Sequence, residues 1–445
     1  MKVLGRVVSL TVVLGISLTS ASASPPSSII PTLTAKIALP SDLDDISQII
    51  SSGSSWIAVG NVEQDTIPSS PLFPSEASKG QSDGYVAMLD STLRLKWSHR
   101  FGTSHDDVAT AVTRDGGGVI WAVAVTSKEV QSLPTPATSA TVTPPVSTLV
   151  PPSPTPTVNP DGVVPVTPPS APPIADQLLI STWNNAGELL SQSLHPIVEG
   201  LAINPSALVP TKSGVYVVGT TVDPQVGTSK GFYVLVAKDG SLGRVHWVGS
   251  NAVVLRGATL LSNGSLVVAG SIAEALKGKP AIGTTDAYVA VINPSTGVIL
   301  RSQRSGSKSA NSSWESVSAD RAGNLAVAGL SQLGKRSDVV VASFSRSMTV
   351  RFSLRFRAPL GTQAVLPAPA GSFAAVAMSS MRPGRKGSET YLAPIGANGR
   401  LIPPAYLVGK AKYGLVAAAS GKGYLLASSD QSRLLLAWFA PRSRK

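Results

Sequence analysis

Seven times along the chain, a run of consecutive apolar residues ends in one small residue. The runs are Trp56–Gly60, Ile120–Ala124, Tyr216–Gly219, Leu266–Gly270, Leu325–Gly329, Phe373–Ala377 and Tyr424–Ser428. Apolar side chains at successive positions, without alternation, predict a strand covered on both faces. We name it strand b. A strand rich in small residues precedes it in most copies: Ile46–Ile50, Val108–Val112, Gly257–Leu261, Ser316–Ala319 and Leu415–Ala419. Strand c follows b and usually opens with an acid, at Asp83, Asp176, Asp286, Asp338 and Glu389; the copy at Gly231 lacks it. The last strand, d, mixes apolar and basic residues, as in Leu95–Phe101, Arg244–Val248, Ile299–Arg304 and Val350–Phe356. A four-strand unit recurring about every 50 residues predicts an all-β chain folded as a seven-bladed β-propeller. Small side chains suit the crowded axis, so a is innermost, and the Lys and Arg of d suit an outer edge.

The seventh copy supplies a, b and c (Leu434–Phe439), and the sequence then stops at Lys445. Thr34–Leu39 precedes the first strand a and has no partner of its own. It is therefore expected to serve as the d strand of blade seven and close the ring, because an open ring would leave an exposed sheet edge.

The clearest copy is Asp83–Ser127, whose DGYVAMLD, FGTSHDDVATAV and VIWAVAVTS resemble the SBBP-type bacterial β-propeller repeat; Asp286–Ser331 is the next best. The likeness covers residues 34 to 440 apart from inserts, and outside these two copies only the apolar skeleton is kept. What it implies is a secreted or surface propeller, with no catalytic residues to carry over.

Composition adds a compartment and removes some chemistry. The 445 residues are 43% apolar and 14% charged, with 40 Gly, 35 Pro and no Cys, which excludes disulfides, thiol nucleophiles and Cys-ligated metals. Residues 1–23 have Lys2 and Arg6, an apolar stretch from Val7 to Leu18 and then Ala21-Ser22-Ala23, the pattern of a cleaved signal peptide. An uncleaved anchor is the other reading, although the stretch is short of the ~20 residues of a spanning helix. A flexible segment (24–33) is expected before the propeller (34–440), and a basic tail (441–445) after it. The Pro/Thr-rich insert at 131–174 is expected as an extended arm within a b–c connection. The other variable connections, 62–82 and 273–285, are also of the b–c type, which makes the face carrying b–c and d–a loops the candidate binding face.

Candidate chemistry is sparse. Asp45, Asp107 and Glu315 stand just before strand a, near one channel mouth, where Arg256 and Tyr413 take the same place in other blades. This mixed set would either bind a small polar ligand or stabilise blade closure. His105-Asp106-Asp107 would either ligate a cation or cap a turn. His99, His195 and His246 fall on separate outer strands, too far apart for one metal. Acids that recur at the start of strand c read as architecture. No nucleophile–base spacing or phosphate-cradling loop is present, so no catalytic residue, metal or cofactor is assigned. The net charge of +12 suits anionic envelope polymers or lipid head groups and is also explained by solvated strand edges. Aromatics are not interleaved with the charges, so nucleic acid is not an expected partner. The sequence thus describes an exported, monomeric, non-catalytic binding or scaffolding propeller of the cell surface or extracellular space. An envelope polymer or surface protein is the expected partner. The alternatives are a propeller enzyme acting on envelope polysaccharide or using a bound redox cofactor, and a purely structural surface protein anchored by its Pro/Thr arm.

Overall fold

The computed structural model describes residues 31–39, 46–63, 72, 74–127, 174–276, 280–334, 336–357, 363–367, 374–381, 388–396, 398–400, 406–411, 413–420, 423–430 and 433–441. The signal sequence, the insert from 131 to 173, the basic tail after Pro441 and Asp45 lie outside these residues. The described residues form an all-β structure, in which four-stranded antiparallel sheets follow one another along the chain. An N-terminal strand, β1 (Pro31–Leu39), comes first. Sheet 1 holds β2 (Ile46–Ser52), β3 (Ser55–Glu63), β4 (Ser82–Leu89) and β5 (Leu95–Phe101). Sheet 2 holds β6 (Asp107–Arg114), β7 (Ile120–Thr126), β8 (Gln177–Trp183) and β9 (Leu189–Pro196). Sheet 3 holds β10 (Ala202–Pro210), β11 (Gly214–Val222), β12 (Ser229–Ala237) and β13 (His246–Val248). Sheet 4 holds β14 (Val253–Leu260), β15 (Leu266–Ile272), β16 (Asp286–Ile292) and β17 (Ile299–Ser305). Sheet 5 holds β18 (Asn311–Ala319), β19 (Leu325–Leu333), β20 (Arg336–Phe344) and β21 (Val350–Arg357), and sheet 6 holds β22 (Gln363–Pro367), β23 (Ala374–Met381), β24 (Ser388–Ile395) and β25 (Tyr406–Ala411). The last sheet takes β26 (Tyr413–Ser420), β27 (Gly423–Asp430) and β28 (Arg433–Pro441), with β1 as its fourth strand.

The β1–β28 ladder runs antiparallel from Pro31 opposite Pro441 to Leu39 opposite Leu434. The segment expected to find its partner at the C-terminus therefore does so, and the strand starts three residues before Thr34. Each sheet meets the next through its first strand, and the last sheet meets sheet 1 through β26 and β2.

The unbroken apolar runs have the reason expected of them. In β3, Trp56 and Ala58 pack toward Leu425, Leu436 and Trp438 of the last sheet, whereas Ile57 and Val59 pack toward Ala122 and Leu179 of sheet 2. In β15, Leu266 and Val268 face sheet 3 while Val267 and Ala269 face sheet 5. Each buried branched side chain contributes about 1.5–3 kcal/mol, and a b strand supplies such contacts to two interfaces at once.

The small residue ending each run also has a structural cause. Strand a carries a β-bulge opposite that point in most sheets, with one extra residue at Ser47, Thr110, Ser206, Arg256 or Glu315. The bulge presses backbone onto strand b. A Cβ at Gly270 or Gly329 would drive into the carbonyl oxygen of Val254 or Ser313.

Candidate functional site

Of the four residues singled out from the sequence, Asp45 lies outside the described residues, and the other three do not occupy one equivalent position. Arg256 and Glu315 are bulge residues of adjoining sheets, and their Nε and Oε2 lie 3.8 Å apart. Asp107 is not their equivalent. It lies three residues ahead of the bulge at Thr110, fully buried beside the loop after β5, where its Oδ2 accepts the Thr103 N–H at 2.6 Å. Burial pushes its carboxyl above the ordinary value of 3.8, against the opposing hydrogen bonds from Thr103 and Thr126. Asp106 of the same loop accepts the Ser82 N–H at 3.2 Å, so Asp107 holds its own loop and Asp106 joins that loop to the start of β4. The equivalence drawn from the sequence failed because it ignored the bulge, which adds a residue after the start of strand a.

The acids of strand c prove to be one half of a repeated device. Asp83 is fully buried; it accepts the N–H groups of Lys79 and Gly80 and pairs with Arg100 of β5 at 2.8 Å. Asp286, also fully buried, accepts the N–H groups of Ile282 and Gly283. Arg304 of β17 approaches it to 2.7 Å, close enough for an ion pair although the Nε–H is not aimed along a hydrogen-bond line. Asp338 and Arg355 repeat the pair at 3.3 Å, with the Arg side chain 55% exposed. Asp83 and Asp286 thereby stiffen their b–c connections and tie them to the outermost strand, whereas Asp338 shows the tie to Arg355. The basic residues of strand d are thus only partly the solvated edge read from the sequence, because Arg100 and Arg304 are shut in at 6% and 3% exposure. Asp176 and Glu389 fall one residue ahead of the register of this device, since Ala124 faces Leu179 and Ala377 faces Leu392 where Gly60 faces Tyr85.

The three histidines stand in the outer strands of three different sheets. His99 Nδ1 meets Glu76 at 2.8 Å, His195 Nε2 meets the Ser193 hydroxyl at 2.8 Å, and His246 stacks on Tyr233. Among the described residues no group of three or more metal-ligating side chains converges.

A cleft of about 950 Å³ opens at the other end of the sheets, away from the long b–c connections. Its rim consists of a–b turns from sheets 2, 3 and 4 and c–d turns from sheets 3 and 4, contributing Gly116, Lys212, Asn263, Lys238, Asn293 and Ser295. The turns are held locally. Thr211 Oγ1 accepts the N–H groups of Ser213 and Gly214, Asn263 Oδ1 accepts the Ser265 N–H, and the Lys238 N–H donates to the Ser213 carbonyl, joining two turns. Tyr216 forms part of the lining and meets Tyr233 edge-on at 5.9 Å; the Tyr233 hydroxyl donates to the Pro294 carbonyl at 3.2 Å. Burial raises the Tyr216 phenol and pushes Tyr233 up to about 12, so both are neutral donors at physiological pH. Burial, then the charge of Arg244, lowers His246, which stacks on Tyr233 with centroids 4.9 Å apart and planes 9° from parallel. Among the described residues, Lys212 and Lys238 are the charged groups lining the cleft, and no carboxylate joins them. The cleft thus presents positive charge together with amide, hydroxyl and phenol groups on short, locally held turns.

No protein-family model matches the chain, and no curated protein is significantly similar to it. Solved structures resemble it weakly. The Kuenenia stuttgartiensis hydrazine synthase superimposes with a TM-score of 0.47 at 10% identity, covering 94% of this chain and all of that one. A luciferin-regenerating enzyme gives 0.39 at 10% identity over 85% of this chain and 99% of its own. The Pyrococcus horikoshii acylaminoacyl peptidase gives 0.31 at 12% identity over 54% and 36%. At these scores none of them assigns the chain a family or an activity.

Sequence reasoning missed the cleft because it followed loop length. The signal was present in the short turns, where Lys212-Ser213-Gly214 and Lys238-Asp239-Gly240 each set a cation beside a glycine.

Proposed function

We propose that the chain is a seven-bladed β-propeller, closed by β1, that is exported by residues 1–23 and binds an anionic, hydroxyl-bearing polymer of the cell envelope without transforming it. Closure is supported by the β1–β28 ladder and by the packing of Trp56 against Trp438, 4.8 Å apart and edge-on, across the junction of the first and last sheets. Kinship with the SBBP-type repeat is part of the same proposal.

The observation that carries the binding function is the composition of the cleft. Two lysines, amides, hydroxyls and a phenol surround it, while Asp83, Asp286 and Asp338 are committed to arginines elsewhere. A carbohydrate-cleaving enzyme would need paired carboxylates there. Fixed positive charge on rigid turns instead concentrates a polyanion and orients it.

The test is retention of the mature protein on isolated envelope polymers at low and high salt, for the native chain and for the Lys212→Ser/Lys238→Ser double variant. Native retention that persists at high salt and falls at least tenfold in the double variant supports the proposal. Retention equal in both proteins, or lost with salt alone, refutes it by assigning binding to the general positive charge.

A further inference from the structure

Independently of the cleft, we propose that a crevice between sheets 4 and 5 binds a small monocarboxylate with an apolar body. The crevice has a volume of about 260 Å³. It exists because one side chain of a repeated plug is missing. Phe101 faces Gly84 in sheet 1 and Val248 faces Gly231 in sheet 3; both are almost fully buried. The same register in sheet 4 sets Ser305 opposite Ala287. The indole of Trp314, in the place of Ala109 and Leu255 of other sheets, fills only part of the space.

What lines the crevice defines the ligand. Leu330, Ala342 and Phe344 supply an apolar wall. Trp314 is 2% exposed, yet its Nε1–H has no hydrogen-bond partner. A buried donor left unpaired costs about 1–3 kcal/mol, so the site favours an occupant that accepts a hydrogen bond. Arg355 stands in the lining as well. Unlike Arg100 and Arg304 it is half open to solvent and gives Asp338 a single nitrogen at 3.3 Å, which leaves most of its five N–H donors for another acceptor. The remaining polar lining is hydroxyl, with no carboxylate or amide. A carboxylate, which only accepts, is the complement of that donor set. A dry cavity of about 150 Å³ accommodates benzene, so the volume here leaves room for a ring and a short acid arm.

The experiment uses the full mature chain with ¹⁵N-labelled tryptophan, the Trp314 indole signal being assigned with Trp314→Phe. Phenylacetate and, separately, its uncharged analogue 2-phenylethanol are titrated to millimolar concentration. The proposal expects a saturable shift of the Trp314 signal with phenylacetate and binding at least tenfold weaker for the alcohol. Ser305→Phe, which restores the plug, should abolish the shift without lowering the melting temperature, and Arg355→Gln should weaken binding at least tenfold. A Trp314 signal that does not move means that the crevice holds water alone, and that overturns the proposal. An unchanged titration in Ser305→Phe overturns the location, and equal affinity for the alcohol overturns the carboxylate. None of these outcomes bears on retention at the Lys212–Lys238 cleft.

Discussion

Replacing Arg304 with Met should destabilise the protein far more than the same change at Arg355, although both arginines serve equivalent aspartates. Arg304 is 3% exposed, and Asp286 beside it is fully buried. Its Nη2 also donates to the Glu274 carbonyl at 2.6 Å. Removing the cation leaves a buried carboxylate without its counter-charge, a change that costs about 3–5 kcal/mol. Arg355 is 55% exposed, so water reaches its side of the pair and replaces much of the lost cation; although Asp338 is buried, the loss should cost about 1 kcal/mol. In urea, with an m-value of about 3 kcal/mol/M, the midpoint should fall by about 1–1.7 M for Arg304→Met and by about 0.3 M for Arg355→Met. Tryptophan fluorescence and far-ultraviolet circular dichroism read the same transition. The double variant Asp286→Leu/Arg304→Met should recover part of the loss. It should not recover all of it, because Ile282 and Gly283 lose the acceptor of their N–H groups, at about 1 kcal/mol each. Equal midpoint shifts for the two single variants would refute the reasoning that burial decides the worth of these pairs.

Deleting residues 31–39 should lower the melting temperature and expose apolar surface to a hydrophobic dye, since β28 then keeps β27 alone as a neighbour; an unchanged melting temperature contradicts ring closure. Asp107 should tilt the dependence of stability on pH. Its carboxyl is raised above 3.8 in the folded state, so the native protein holds that proton more tightly than the unfolded chain does. Its contribution is complete below 3.8 and is lost as pH rises through the folded-state value. Asp107→Asn keeps an acceptor for the Thr103 N–H and should flatten the fall in melting temperature over the acidic range above 3.8; parallel profiles for both proteins would exclude Asp107 as its source.

How much of this was legible depended on what each residue faces. The b strands were plain because two interfaces demand apolar side chains at every position, as Trp56–Val59 illustrates. The first strands of sheets 3 and 6 were not, because Asn204-Pro205 in β10 reads as a turn until its bulge is known, and β22 is only five residues ending in Pro367. The outer strand β25 escaped too, and β9 was marked by His195 alone, because Leu189–Pro196 carries none of the Lys and Arg that marked strand d elsewhere. The Asp–Arg pairs were half visible. Both partners stood in the sequence, 17 or 18 residues apart, and the burial of Arg100 and Arg304 in place of their solvation follows only from the b–c loop closing over them. The cleft residues carried a weaker signal, since a lysine in a glycine turn is unremarkable until three sheets bring their turns to one rim.

The bulge in strand a has a consequence for how such a chain can diversify. Because the extra residue takes no place in the ladder, its side chain is released from the pairing rules that fix its neighbours. That position holds a hydroxyl in Ser47, Thr110 and Ser206 and opposite charges in Arg256 and Glu315. Each of these five sheets therefore holds one spot where a sequence can be rewritten at small cost to the scaffold, and chains built on such a unit can acquire new recognition one substitution at a time.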